Sequence, residues 1–299
     1  MSHSNIATVI ASYGQRGILL HDGQELRYIR KGRQLRPVCG DRVRWEASGT
    51  PDEVLVTAIQ ERENQLQRPD TRGKTETLAA NLATLAIVIA AEPKPDFYIA
   101  DRFICAAELM GASPLVVWNK ADLAANDPDA LSAYESLAYP VIRTSATHGN
   151  GIAELEALLS DGFGMLVGQS GVGKSSLINC LIADADIATG ELSQATGEGR
   201  HTTTASMAHR LRSGGMLIDS PGIRDFAPVV NESAEIQNGF REVVAAAENC
   251  RFANCSHLRE PGCAVRDAVD SGDITERRYE SYRRMCNLSA QLADKLKPG

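Results

Sequence analysis

The sequence predicts a multidomain protein: a small β-barrel or sandwich, an α/β domain built around a phosphate-binding loop, and a mainly helical end carrying a metal site. Three observations lead there. Five short β-prone runs separated by turn formers occupy residues 1–60, apolar strands alternate with helical patterns from Leu82 onward, and three cysteines crowd into residues 250–263.

The β-prone runs lie at residues 7–12, 18–20, 26–29, 43–45 and 54–59, with Gly14, Asp22-Gly23, Gly40-Asp41 and Gly49-Thr50-Pro51-Asp52 between them. Short strands at this spacing build a barrel or a sandwich. Residues 1–46 carry eight basic side chains (Arg16, Arg27, Arg30, Lys31, Arg33, Arg36, Arg42, Arg44) against four acidic ones (Asp22, Glu25, Asp41, Glu46), a local +4. That surplus suits phosphate contact, although on charge alone a solvated polar face accounts for it equally well. Residues 61–81 are polar, include Arg68-Pro69-Asp70 and Arg72-Gly73-Lys74-Thr75, and read as a linker.

Candidate strands follow at 85–90, 115–118, 141–144, 165–167 and 216–218, with helical patterns near 99–110, 131–137, 153–159 and 174–182. This alternation gives a mainly parallel sheet with helices on both faces. After Pro228 the chain turns helical and polar and ends in a charged helical stretch around 275–296, and it contains no internal repeats.

Composition sets the outer limits. A chain of 299 residues has room for about two domains. Its longest apolar stretch, residues 82–91, is interrupted by Thr84 and falls far short of the ~20 residues of a membrane span. The start, Met1-Ser2-His3-Ser4-Asn5, lacks the basic start and apolar core of a signal peptide. A cytoplasmic protein without membrane attachment is expected. A net charge of −7 argues against a protein that coats nucleic acid over its whole surface. In a reducing compartment, a cysteine cluster within a set of seven reads as a metal site rather than a disulfide framework.

Gly168-Gln169-Ser170-Gly171-Val172-Gly173-Lys174-Ser175 fits the phosphate-loop pattern and sits between an apolar strand and the helical stretch opened by Ser176. Its glycines let backbone N–H groups wrap phosphates at a helix start. Lys174 would bridge the β- and γ-phosphates and Ser175 would ligate Mg²⁺. Asn119-Lys120-Ala121-Asp122 ends a buried strand. Asp122 can accept from the ring N–H and the exocyclic amine of guanine, which adenine does not present together, and Asn119 can support the base from its other edge. Ser145-Ala146, after the next strand, can offer a backbone N–H to the guanine carbonyl. Asp219-Ser220-Pro221-Gly222 follows another strand, where Asp219 can hold Mg²⁺ through water and the Gly222 N–H can sense the γ-phosphate. A switch threonine for Mg²⁺ is expected among Thr202, Thr203 and Thr204. Thr203 is taken as the candidate ligand, and the sequence does not separate it from its neighbours.

These motifs run in the order base-reading, phosphate loop, switch, whereas ordinary GTPases carry the phosphate loop first. With Gly199-Arg200-His201-Thr202-Thr203-Thr204, a preceding β-domain and a following cysteine cluster, the whole chain resembles the RsgA/YjeQ family of circularly permuted GTPases that depend on the small ribosomal subunit. The resemblance implies an oligonucleotide-binding (OB) barrel at 1–65, a linker at 66–81, a permuted GTPase domain at 82–228 and a zinc-binding domain at 229–299. It implies a monomer that binds the small (30S) subunit and its 16S rRNA, assists late subunit maturation, and hydrolyses GTP to GDP with stimulation by that subunit. The spacing Cys250-x₄-Cys255-x-His257-x₅-Cys263 supplies three thiolates and one imidazole, the donor set of a closed structural zinc site, and the resemblance supports the same four. Cys39, Cys105, Cys180 and Cys286 stand alone and are expected in packing or surface positions.

The position after Asp219–Gly222, where many GTPases place a water-orienting glutamine, is Ile223. His201, beside the switch threonines, is the candidate within the chain, with Lys174 and Asp219 supporting the chemistry. Two other readings remain open from sequence: a GTP-gated RNA-binding scaffold in which hydrolysis is incidental, and a metal-insertion GTPase. The closed four-ligand set argues against the second, because delivery needs an exchangeable position.

Overall fold

Inward-facing Val9, Leu19, Tyr28, Val43 and Val56 form a small apolar core around which five strands close. They are β1 (Ile6–Tyr13), β2 (Arg16–His21), β3 (Gln24–Arg30), β4 (Arg42–Ala47) and β5 (Glu53–Ile59). They pair in the order β1-β2-β3-β5-β4, and β4 returns to β1. The barrel-or-sandwich expectation resolves as a closed barrel, in which the strands satisfy one another's edges. The structure, a computed structural model, describes residues 5–50, 52–69, 75–124, 126–182, 206–219 and 235–296.

The segment expected as a linker at 66–81 instead carries a hairpin, β6 (Gln65–Pro69) paired antiparallel with β7 (Thr75–Ala80). Leu66, Leu78, Ala79 and Ala80 are buried. These few apolar residues sit in an otherwise polar segment, which is why composition hid the strands. Asn81 then ties this corner to the barrel by donating its side-chain amide to the Gly40 carbonyl at 2.8 Å.

The parallel sheet follows the expected alternation. β8 (Leu82–Ala90), β9 (Ser113–Asn119), β10 (Val141–Arg143), β11 (Phe163–Val167) and β13 (Met216–Asp219) lie in the order β10-β9-β8-β11-β13. Along β8, Leu85, Ile87 and Ile89 share a core with Phe103 and Ile104 of α1 (Phe97–Met110) and Leu131 and Tyr134 of α2 (Asp129–Ser136). Ala86, Val88 and Ala90 share the opposite core with Leu155 of α3 (Ile152–Leu158) and Leu177 and Leu181 of α4 (Lys174–Ile182). An unforeseen strand, β12 (Ser206–Arg210), pairs antiparallel with β13 on one side and with β1 on the other. It joins barrel and parallel sheet into one eleven-stranded sheet. Among the described residues, no helix is long and apolar enough to cross a membrane.

A 3₁₀ turn (Ile236–Gly239) leads into α5 (Arg241–Ala247), α6 (Ala264–Ser271) and α7 (Glu276–Leu296). This end is held to α1 and α2 by buried charge. The fully buried Asp101 carboxylate accepts from Tyr134 (2.7 Å), Arg277 (2.7 Å), Arg278 (2.8 Å) and Ser281 (2.6 Å). Arg278 also donates two hydrogen bonds to Glu242, at 2.6 and 3.2 Å. Two carboxylates around one buried guanidinium compensate its desolvation, and removing one partner leaves charge buried without compensation. Asp101→Ala is therefore expected to cost roughly 3–5 kcal/mol, read as a lowered unfolding midpoint and faster proteolysis within residues 235–296.

Candidate nucleotide site and metal centre

Val167 ends β11, and the chain turns at Gly168, whose φ of 135° suits glycine. Val172, buried among Val88, Leu177 and Ile178, pins the loop to the core below. At Gly173 (φ 95°) a Cβ would run into the Asn119 side-chain nitrogen, so glycine is required there. The Lys174 ammonium lies inside the loop and donates to the carbonyls of Gly168 and Gln169, 2.7 Å each. Ser175 and Ser176 are exposed on the first turn of α4, and Ser170 and Gly171 are exposed on the loop. Gln169 accepts from the Asp96 N–H at 3.3 Å, and Asp96 also caps α1 through Tyr98 and Ile99. A helix start preceded by such a loop offers N–H donors to an anion.

The base-reading segment meets this loop directly. Asn119, at the end of β9 and 1% exposed, donates to the Val172 carbonyl at 2.8 Å and accepts from the Thr144 hydroxyl at 3.1 Å. Its carboxamide joins the two loops. Lys120 adopts a left-handed conformation (φ 56°) and donates to the carbonyls of Glu92 (2.7 Å) and Gly171 (2.9 Å). The Ala121 N–H bonds the Thr144 carbonyl at 3.1 Å. Asp122 is left exposed on the following 3₁₀ turn. A hydrogen bond from Ser145 holds its carboxyl below the usual aspartate value, and His148, 3.7 Å away, adds to the effect. An ionised acceptor at this place suits the two adjacent donors of guanine. Ala146 follows, with its carbonyl 3.4 Å from the Cys180 sulfur on α4.

On the switch side, Asp219 ends β13 and pairs across to Met207. His201, Thr202, Thr203, Thr204, Gly222 and Ile223 lie outside the described residues.

The four expected metal ligands converge: the ligand atoms of Cys250, Cys255, His257 and Cys263 lie within 4.8 Å of one another. His257 Nδ1 is 3.5 Å from both Cys250 Sγ and Cys263 Sγ, which are 4.0 Å apart. A tetrahedral zinc ion with bonds of about 2.3 Å to sulfur and 2.0–2.1 Å to nitrogen needs edges of roughly 3.8 Å between sulfurs and 3.6 Å from sulfur to nitrogen. The donor set therefore fits zinc in composition and spacing. Burial lowers the His257 pKa, favouring the neutral, ligating imidazole. Its Nε2 faces the side-chain oxygen of Gln237 at 3.1 Å, the outer contact that fixes which ring nitrogen faces a metal. Sequence reasoning missed Gln237, which shares no spacing pattern with the ligands. It also missed the Asn119–Val172 bond, because a tertiary contact leaves no local signature.

Residues 59–228 match the family model described as RsgA GTPase. The chain belongs to the RsgA GTPase family. A curated relative from Azotobacter vinelandii, named small ribosomal subunit biogenesis GTPase RsgA, is 43% identical over 251 residues, covering 82% of this chain and 73% of the relative. A protein of the same name from Pseudomonas fluorescens is 42% identical over 262 residues, covering 86% and 75%. The crystal structure of YjeQ from Thermotoga maritima superposes with a TM-score of 0.74 at 28% identity, over 96% of this chain and 98% of that one. The structure of YloQ, described as a circularly permuted GTPase, shares the fold with a TM-score of 0.74 at 23% identity, over 100% of this chain and 99% of that one. RsgA membership agrees with the motif order, in which the base-reading segment precedes the phosphate loop.

Asp122→Asn is expected to weaken GTP binding and shift preference toward xanthosine triphosphate, because an amide donates to xanthine's extra carbonyl but cannot accept from the guanine amine. Each charged hydrogen bond lost should cost roughly 1.5–3 kcal/mol, read by nucleotide titration; unchanged GTP affinity would remove Asp122 from base recognition. Metal analysis of protein purified without chelator should find one zinc per chain. Chelation should unfold the segment around 250–263, since sites of this type supply about 10–16 kcal/mol of apparent binding energy.

Proposed function

We propose that this RsgA-family protein hydrolyses GTP to GDP and phosphate while bound to the small ribosomal subunit, and thereby assists late maturation of that subunit. The Asn119–Val172 hydrogen bond carries the nucleotide reading, since it places a guanine-reading segment against a phosphate loop. The partner reading rests on the relatives' names and on the exposed basic side chains of the barrel, among them Arg16, Arg27, Lys31, Arg33, Arg36, Arg42 and Arg44. These suit 16S rRNA contact.

In this reading Ser175, Thr203 and Asp219 would hold Mg²⁺, which would supply charge neutralisation for the transferring phosphoryl group. Lys174, already directed into its loop, exchanges carbonyl partners for phosphate oxygens. Ser145 keeps Asp122 charged and aimed at the base, and the Gly222 N–H senses the γ-phosphate. Ile223 cannot orient the attacking water, so His201, beside the switch threonines, does so. Zinc is structural, and the protein acts as a cytoplasmic monomer.

The test is GTP turnover alone, with purified small subunits, and with large ones. Slow turnover alone and a large increase specific to small subunits are expected. Equal stimulation by either subunit, or by bulk RNA, would favour the GTP-gated RNA-binding scaffold. In the same assay His201→Ala should lower stimulated turnover by about 10²-fold, with nucleotide affinity and subunit binding retained. Near-normal stimulated turnover would remove His201 from the chemistry.

A further inference from the structure

The zinc-ligand loop carries two features that its own folding does not use. Phe252, between the first two ligands, is 41% exposed and is the one exposed Phe, Tyr or Trp ring among the described residues. Its neighbour Arg251 places its guanidinium 5.4 Å from the centre of that ring. The loop backbone is tied at several points. The Arg251 N–H bonds the Gly262 carbonyl at 3.2 Å and the Cys255 N–H bonds the Phe252 carbonyl at 3.2 Å. Tyr279 and Tyr282 of α7 donate to the carbonyls of His257 and Ser256 at 2.7 and 2.9 Å. The backbone beneath the ring is thus fixed from both sides.

Charge at this loop runs against that of the whole protein. Residues 250–263 hold Arg251 and Arg259 against a single acid, Glu260, in a chain of net charge −7. The Glu260 carboxylate is consumed within the loop, accepting from the Ser256 hydroxyl (2.6 Å) and from the N–H groups of Ser256 (3.0 Å), Leu258 (3.1 Å) and Arg259 (3.0 Å). It forms no ion pair with Arg251 or Arg259 among the described residues.

We propose that Phe252, with Arg251 beside it, is a stacking platform for one unpaired base of RNA. An exposed ring on a rigid loop loses little freedom when a base covers it, and an adjacent guanidinium can bind the flanking phosphate while extending the stacked surface. A folded protein partner would be met by a broader apolar patch, whereas a single ring flanked by uncompensated arginine matches the size and charge of one nucleotide. The platform deepens the small-subunit reading and rests on it.

The experiment uses the full-length protein, its Phe252→Ala and Phe252→Trp variants, and purified small ribosomal subunits. Phe252→Ala should keep one zinc per chain and the unstimulated GTP turnover of the parent protein, yet bind subunits roughly 5- to 100-fold more weakly. Phe252→Trp should bind as the parent does, and its added fluorescence should be quenched on subunit binding. Chemical probing should find an rRNA base protected by the parent protein and by Phe252→Trp, but reactive with Phe252→Ala. Equal binding by the parent and Phe252→Ala would overturn the platform while leaving the partner assignment intact. Weaker binding with no base changing reactivity would overturn it too, in favour of docking on a ribosomal protein. Failure of the parent protein to bind subunits would instead strike the partner assignment.

Discussion

One carboxamide holds the nucleotide site together. Asn119 links the end of β9 to the phosphate loop 53 positions later and to the β10 end 25 positions later. The three segments sit at the carboxyl ends of parallel strands, where an open α/β sheet binds its ligands. Because Asn119 is buried, losing either bond would leave a polar group without a partner, a cost of about 1–3 kcal/mol. The bond to the Val172 carbonyl fits only because the next residue, Gly173, has no side chain. Lys120 repeats the connection from outside through Glu92 and Gly171, so the segment 119–122 and the phosphate loop are tied on two sides.

A second junction joins this site to the end that carries the cysteine–histidine cluster. Asp101 and Arg278 connect α1 and α2 to α7, and Glu242 brings α5 into the same network. Close to it, Gly239 leaves no room for a Cβ against Cys105 of α1, and Gln237 two residues earlier contacts the zinc-ligand candidate His257. One short turn therefore touches α1 and the cysteine–histidine cluster together. Displacement of this turn would be felt at both places.

Much of this was legible in residue spacing. The phosphate loop and Asn119–Asp122 are local patterns at strand ends, and the apolar runs at 85–90 and 115–118 announced a buried parallel sheet because both their faces are covered. The convergence of Cys250, Cys255, His257 and Cys263 was readable because three sulfurs and an imidazole within fourteen positions have few uses other than a metal site. The hairpin at β6 and β7 was hidden by its mostly polar composition. Strand β12 was hidden for a related reason: Ser206-Met207-Ala208-His209-Arg210 has too little apolar character to declare itself, and its partners on either side define it. The bracing of the phosphate loop by Asn119 became visible only when the chain was folded.

The pairing of β1 with β12 bears on how the protein is made. Ala11 and Ser12 pair with Met207 and Ser206, so one partner leaves the ribosome long before the other. At synthesis rates of roughly 5–20 residues per second, the wait is about ten to forty seconds. During it the nascent barrel can already close, because β4 pairs with the earlier part of β1 at Ile6, Ala7 and Thr8. What stays open is an edge only two residues long at Ala11 and Ser12. So short an edge is a poor template for pairing with another chain, and the growing polypeptide can await its missing strand without inviting a stranger to take the place.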